Sequence, residues 1–112
     1  MNSSELKYHH LGIPTTVIHK NETYLEKFKV YVSGYETSAY KIEWMRYEKD
    51  SPVNEIVKTI PHVAFEVDDL ENAINGKDIL IEPNSPSPGV RVAFILDNGA
   101  PVEFIQVNNL NE

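Results

Sequence analysis

Two histidines and two glutamates are the residues of this sequence whose types and spacing suit chemistry. Residues 10–13 (HLGI) align with residues 62–65 (HVAF) as histidine, apolar, small and apolar residues. Residues 42–45 (IEWM) align with residues 102–105 (VEFI) as apolar, glutamate, aromatic and apolar residues. The chain has no cysteine, which leaves His, Asp and Glu as its strong metal ligands. The candidate ligands for a divalent ion are His10, Glu43, His62 and Glu103.

Strands must carry these four side chains. Residues 7–15 are rich in aromatic and apolar types and stop near Pro14, which is typical of a strand. Side chains alternate along a strand, so His10 and Gly12 share one face while His9 and Leu11 share the other. By the same criteria, the predicted strands are residues 7–15, 28–35, 40–48, 62–67, 79–82, 89–96 and 100–107, and the predicted helices are residues 22–28, 51–58 and 69–75. Three prolines within residues 83–89 predict a loop there.

The second half of the chain therefore has the order β-α-β-β-β, and the first half follows the same outline in a shorter form. We expect one α+β domain over residues 1–112, with module 1 at about 6–50, a linker helix at about 51–60 and module 2 at about 61–108. Each module has a histidine on its first strand and a glutamate on its last. Two such modules related by a pseudo-twofold axis would bring the four ligands together.

These motifs resemble the vicinal oxygen chelate superfamily, which includes glyoxalase I, methylmalonyl-CoA epimerase, extradiol dioxygenases and bleomycin resistance proteins. The resemblance rests on HHLGIPT at 9–15, YKIEWMRYE at 40–48, HVAFEVDDLENAI at 62–74 and GVRVAFILDNGAPVEFIQ at 89–106. It implies paired β-α-β-β-β modules whose curved mixed sheets enclose a cleft, with a divalent metal ion held by His10, Glu43, His62 and Glu103. Glu103 follows His62 by 41 residues, whereas Glu43 follows His10 by only 33, so the first module is abbreviated.

Several of these residues have a second interpretation. His9 replaces His10 as the ligand if the register of the first strand slips by one residue. Glu43 fits a solvated strand rim as well as a cleft, and it is the weakest of the four candidates. Arg46 lies three residues beyond Glu43 and therefore on the opposite strand face, which favours a structural role over substrate binding. His19 follows the first strand in a polar loop and is expected at the surface.

Composition excludes several classes of protein. Ten Lys and Arg against 17 Asp and Glu give a formal net charge of −7, which disfavours nucleic acid as a partner. No apolar run approaches the roughly 20 residues of a transmembrane helix, and the N-terminus lacks the apolar core of a signal peptide. We therefore expect a cytoplasmic protein that binds a small molecule. A chain this short covers its apolar faces incompletely, which predicts a homodimer.

The leading functional hypothesis is a metal-dependent lyase or isomerase that acts on a small oxygenated metabolite through an enediolate-type intermediate. The metal, which could be Zn, Ni, Co, Mn or Fe, would stabilise that charge, and Glu103 or Glu43 would act as general base. The alternative is a metal-free protein that sequesters a small molecule in the same cleft. Iron-dependent dioxygen chemistry on the two histidines and Glu103 is a third possibility, disfavoured by the short chain.

Overall fold

Strands dominate the structure, a computed structural model that describes residues 5–108. In chain order the strands are β1 (Lys7–Pro14), β2 (Thr23–Leu25), β3 (Val30–Ser33), β4 (Ile42–Tyr47), β5 (His62–Glu66), β6 (Asp78–Ser87), β7 (Val90–Asp97) and β8 (Ala100–Val107). The helices are α1 (Glu55–Thr59) and α2 (Leu70–Ile74). Parallel and antiparallel pairs both occur, so the predicted α+β class with mixed sheets is confirmed. The chain divides into two units, one formed by His10–His62 and one by the described residues on either side of that segment.

The unit His10–His62 contains β2, β3, β4 and residues 10–14 of β1, in the order β2-β3-β4-β1. β1 and β4 run parallel, with Gly12 opposite Glu43, while β2, β3 and β4 are joined as antiparallel neighbours. The turns between them use left-handed backbone conformations at Lys29 (φ 49°) and Gly34 (φ 94°). β1, which carries His10, and β4, which carries Glu43, are therefore adjacent. The proximity of this histidine and this glutamate requires that pairing.

The first module is shorter because it lacks a helix. Within residues 5–108 no helix lies between β1 and β2, and the predicted helix over residues 22–28 is wrong. Residues 23–25 form a strand instead, because Tyr24 pairs with Tyr31 of β3 and their rings lie 4.6 Å apart. Such aromatic cross-strand contacts override a weak helical pattern. The first module is eight residues shorter than the second between its histidine and its glutamate. The missing residues correspond to the helix of the second module, while all four strands are retained.

The other unit has the strand order β5-β8-β7-β6, with α2 packed on β7 and β8. β5 and β8 are parallel and the remaining pairs are antiparallel. Its larger core cluster joins α2 to one sheet face and consists of Val67, Leu70, Ala93, Ile95 and Phe104. A smaller cluster of Ala64, Val92 and Ile105 lies on the opposite face. The predicted β-α-β-β-β order of the second module is confirmed.

The predicted loop over residues 83–89 is wrong in its first part, because β6 continues to Ser87. β6 stands at the end of the strand order and pairs with β7 through three register shifts. A proline removes a backbone donor, which an edge strand tolerates on its outer side and at irregularities. Pro83 and Pro86 are therefore compatible with this strand.

Both helices begin later than the sequence indicates. α1 begins after Asn54, whose side chain accepts a hydrogen bond from the N–H of Ile56. Ser51, at which the predicted helix over residues 51–58 begins, instead donates its hydroxyl to the carbonyl of Phe28 at 2.6 Å. α2 is capped by Asp69, the residue at which the predicted helix over residues 69–75 begins. Neither helix, nor any other within the described segment, has the length and apolarity that crossing a membrane demands.

Candidate metal site and cleft

His10 and Glu43 face each other across the parallel pair of β1 and β4. Gly12 is the direct partner of Glu43 in that pair, and His10 shares the face of Gly12 because it lies two residues earlier. His10 is buried, with 6% of its surface exposed, and its Nε2 lies 3.7 Å from Oε1 of Glu43. His10, rather than the adjacent His9, is therefore the histidine that faces Glu43.

His62, the first residue of β5, brings a second imidazole to the same place. Its ring centroid lies 5.4 Å from that of His10, with an interplanar angle of 83°. His62 is 2% exposed, so its ring is held within the protein. The ring of Tyr35 also meets His10 edge-on, at 6.0 Å and 89°. Two buried imidazoles and one carboxylate are thus close together in the unit His10–His62.

Glu103 occupies the corresponding position in the other unit. It pairs with Ala64 across the parallel strands β5 and β8, just as Glu43 pairs with Gly12. It lies two residues before Ile105 on β8, so it shares the sheet face of the smaller cluster rather than the face that α2 covers. Glu103 is half-buried. Each half of the sequence therefore repeats one arrangement, in which a glutamate lies opposite the small residue two positions after a histidine.

The donor types decide what this arrangement can hold. Imidazole nitrogens and carboxylate oxygens suit Zn, Co, Ni, Mn and Fe. In a chain without cysteine, His, Asp and Glu are the main residues that provide such donors. A carboxylate beside a buried histidine also favours one ring orientation, which preorganises an imidazole as a ligand. The cluster of His10, His62 and Glu43 could hold a divalent metal ion.

A cleft of about 700 Å³ lies beside Glu43 in the unit His10–His62. Its wall includes Tyr35, Trp44, His19 and Lys20. Volumes of this size are typical of sites for small molecules. An aromatic wall with polar side chains around it can bind a compact molecule that has both apolar and oxygen-bearing groups.

His19 is a cleft residue that the sequence analysis missed, because it assigned this histidine only to a polar surface loop, whereas the residue is partly buried. Its ring stacks on Trp44 at 5.5 Å with an interplanar angle of 16°, and its Nδ1 is buried. Trp44 lies on the strand face opposite Glu43, and an aromatic ring there needs cover. That requirement is the signal in the sequence that points to the segment after β1.

Glu22 fixes the segment that carries His19. Its carboxylate accepts the backbone N–H of His19 at 3.3 Å and forms a bidentate pair with Arg46, at 2.7 and 2.9 Å. Hydrogen bonds from Arg46 lower the pKa of Glu22 to about 2. The guanidinium of Arg46 also lies 4.2 Å from the ring centroid of Tyr31. Arg46 therefore has the structural role that its strand position indicates.

The solved structures that share this fold include a hypothetical protein and an epimerase. A hypothetical protein from Bacillus halodurans C-125 matches with a TM-score of 0.70 and 23% identity, over 96% of this chain and 98% of that one. Methylmalonyl-CoA epimerase from Mycobacterium tuberculosis matches with a TM-score of 0.63 and 16% identity, over 92% of this chain and 89% of that one. No protein-family model and no curated protein matches the chain. At these identities the likeness shows the fold, which is glyoxalase-like.

Proposed function

We propose that the protein belongs to the vicinal oxygen chelate superfamily and is a metal-dependent lyase or isomerase of a small oxygenated metabolite. The observation that carries the proposal is the repeated register, in which Glu43 lies opposite Gly12 and Glu103 lies opposite Ala64. Two independent strand pairs have the same histidine and glutamate positions, which a chance placement of surface carboxylates does not explain. The name of the epimerase neighbour, which is an isomerase, favours the same class of reaction.

The proposed ligands are His10, His62 and Glu103, together with Glu43, whose carboxylate lies beside His10. Two imidazoles and one or two carboxylates leave coordination positions for a substrate, as catalytic sites require. When bound, the ion supplies Lewis-acid stabilisation of the negative charge that develops as a proton leaves the carbon next to a carbonyl. The identity of the ion is left open among Zn, Ni, Co, Mn and Fe.

The side chains of the chain itself supply binding and proton transfer. Glu43 borders the cleft and is the carboxylate positioned to take a proton from a molecule bound there, while Glu103 is the second candidate base. The rings of Tyr35 and Trp44 provide apolar contact surface for the ligand. The half-buried position of Glu43, whose side chain is 23% exposed, keeps the base accessible to a substrate.

The second candidate is a metal-free protein that binds a small molecule in the same cleft. The stacked His19 and Trp44 favour it, because they form a binding surface without any need for a metal. The two candidates differ in what a divalent ion does. An enzyme of the proposed class binds the ion and exchanges a substrate proton, whereas the binder does neither.

The test begins with calorimetric titration of the metal-stripped protein with Zn²⁺ and Co²⁺. We expect one ion per chain, strong weakening in His62→Ala, and no change in His9→Ala, which removes a neighbouring imidazole from the opposite face of β1. The loaded protein is then incubated in D₂O with a panel of small α-hydroxycarbonyl compounds. Deuterium incorporation seen by NMR, lost in Glu43→Gln or Glu103→Gln, supports the enzyme. Absence of ion binding together with tight binding of a small molecule selects the alternative.

Assembly and location complete the proposal. We propose a homodimer, since large apolar side chains are exposed to solvent in the isolated chain, among them Ile18 (74% exposed) and Tyr40 (75% exposed). Light scattering at tens of micromolar should give about twice the chain mass, and a monomer would contradict this. The expected partner is a small molecule, with neither nucleic acid nor a membrane, and the cytoplasm is the proposed location.

A further inference from the structure

Gly12 differs from the other glycines of the chain in its backbone conformation. Gly34, Gly76, Gly89 and Gly99 all have positive φ, a conformation that side chains rarely adopt. Gly12 lies within β1, where the backbone accepts any residue, and a glycine there weakens the strand. Its presence therefore reflects the space around it rather than the path of the chain.

The space above Gly12 is filled by the imidazole of His62. A Cβ atom at position 12 would lie 2.4 Å from Cε1, 2.8 Å from Nε2 and 2.9 Å from Nδ1 of that ring. All three distances are shorter than real Cβ contacts allow, so the ring would have to move. It has little room to do so, because it is 2% exposed and meets His10 edge-on.

We propose that Gly12 is a positioning residue for His62, providing the vacant space in which its imidazole adopts the orientation needed to bind a metal ion. This inference rests on the proposed function, which makes His62 a ligand. Both nitrogens of the ring lie against Gly12, so any side chain at position 12 displaces the donor atom whichever nitrogen binds. Ligand groups must be held within about 0.5 Å of the productive geometry, and an added methyl group exceeds that tolerance.

The experiment compares Gly12→Ala with the wild type by Co²⁺ and Zn²⁺ titration of the metal-stripped proteins. We expect affinity to fall by about 10- to 100-fold, the range seen when groups that orient metal ligands are changed. The visible spectrum of the Co²⁺ complex should also change, because the ligand geometry differs. Wild-type affinity and an unchanged spectrum in Gly12→Ala would overturn the inference.

A double-variant comparison covers the case in which Gly12→Ala fails to fold. The thermal unfolding of Gly12→Ala should be lowered relative to the wild type, whereas Gly12→Ala in a His62→Ala background should melt no lower than His62→Ala alone. If Gly12→Ala destabilises the wild type and the His62→Ala variant equally, the added methyl group does not clash with the imidazole of His62, and the inference is overturned. Failure of the wild type to bind either ion would instead overturn the proposed function, and the inference about metal binding with it.

Discussion

The ion pair of Glu22 and Arg46 gives the protein a pH dependence that can be calculated from one contact. The Glu22 carboxylate, only 10% exposed, accepts two hydrogen bonds from Arg46, which lower its pKa from the ordinary value of 4.5 to about 2. A carboxyl whose pKa is lower in the folded chain stabilises it above the unfolded pKa. That contribution is lost as the pH falls from about 4.5 to about 2.

The size of the effect is best expressed as protons taken up on unfolding. At about pH 3.2, a carboxyl with a pKa of 4.5 is about 95% protonated in the unfolded chain, and one with a pKa of 2 is about 6% protonated in the folded chain. Glu22 alone therefore binds about 0.9 of a proton when the chain unfolds at that pH. Glu22→Gln removes this uptake.

Urea unfolding between pH 2 and pH 7, followed by the fluorescence of the single Trp44, measures the uptake as the slope of unfolding free energy against pH. We expect Glu22→Gln to be less stable than the wild type at pH 6, with the difference vanishing as the pH falls toward 2. Glu26→Gln, which removes the same charge from an exposed position nearby, is the control. A Glu22→Gln profile as steep as that of the control would refute the reasoning.

Three further substitutions test the packing of the two units, each by urea unfolding. Leu70→Ala empties a site that is 0% exposed in the core under α2 and should cost about 2–5 kcal/mol; a loss below about 1 kcal/mol would contradict that packing. Asp69→Ala removes the N-cap that accepts the N–H of Asn72 and should cost about 1 kcal/mol, whereas the exposed neighbour Asp68→Ala should have little effect. Gly34→Ala places a Cβ at φ 94° and 3.0 Å from Trp44, so it should be destabilising and shift the emission of that tryptophan.

The parts of the fold that the sequence predicts well are those in which local pattern and tertiary pairing agree. β7 and β8 alternate strongly and are joined by an Asn-Gly turn, with Asn98 at φ 52° and Gly99 at φ 86°, as the hairpin signal requires. The prediction fails at residues 22–28, where pairing with β3 decides the structure. It also fails at β6, because the edge position that tolerates its prolines is a property of the whole sheet.

The candidate site likewise has features that the sequence predicts and features that it does not. The register that places Glu43 opposite Gly12 and Glu103 opposite Ala64 follows from aligning the two halves of the sequence, because parallel strands carry the residue pattern directly into space. The ring of Trp44 indicates that some side chain covers that strand face, but the choice of His19 depends on the path of an irregular segment. The role of Gly12 was equally hidden, since it depends on the position of a ring 50 residues further along the chain.

The most direct test of the metal site is thermal unfolding of the metal-stripped protein with and without Zn²⁺, Ni²⁺, Co²⁺ or Mn²⁺. An ion at about 100 times its dissociation constant adds about 2.7 kcal/mol to the stability of the folded chain. At about 4 °C per kcal/mol, the melting temperature should rise by about 10 °C and return when a chelator is added. Glu103→Gln should reduce the rise. If none of these four ions, nor Fe²⁺, raises the melting temperature, and Glu103→Gln is neutral or stabilising, the metal site does not exist.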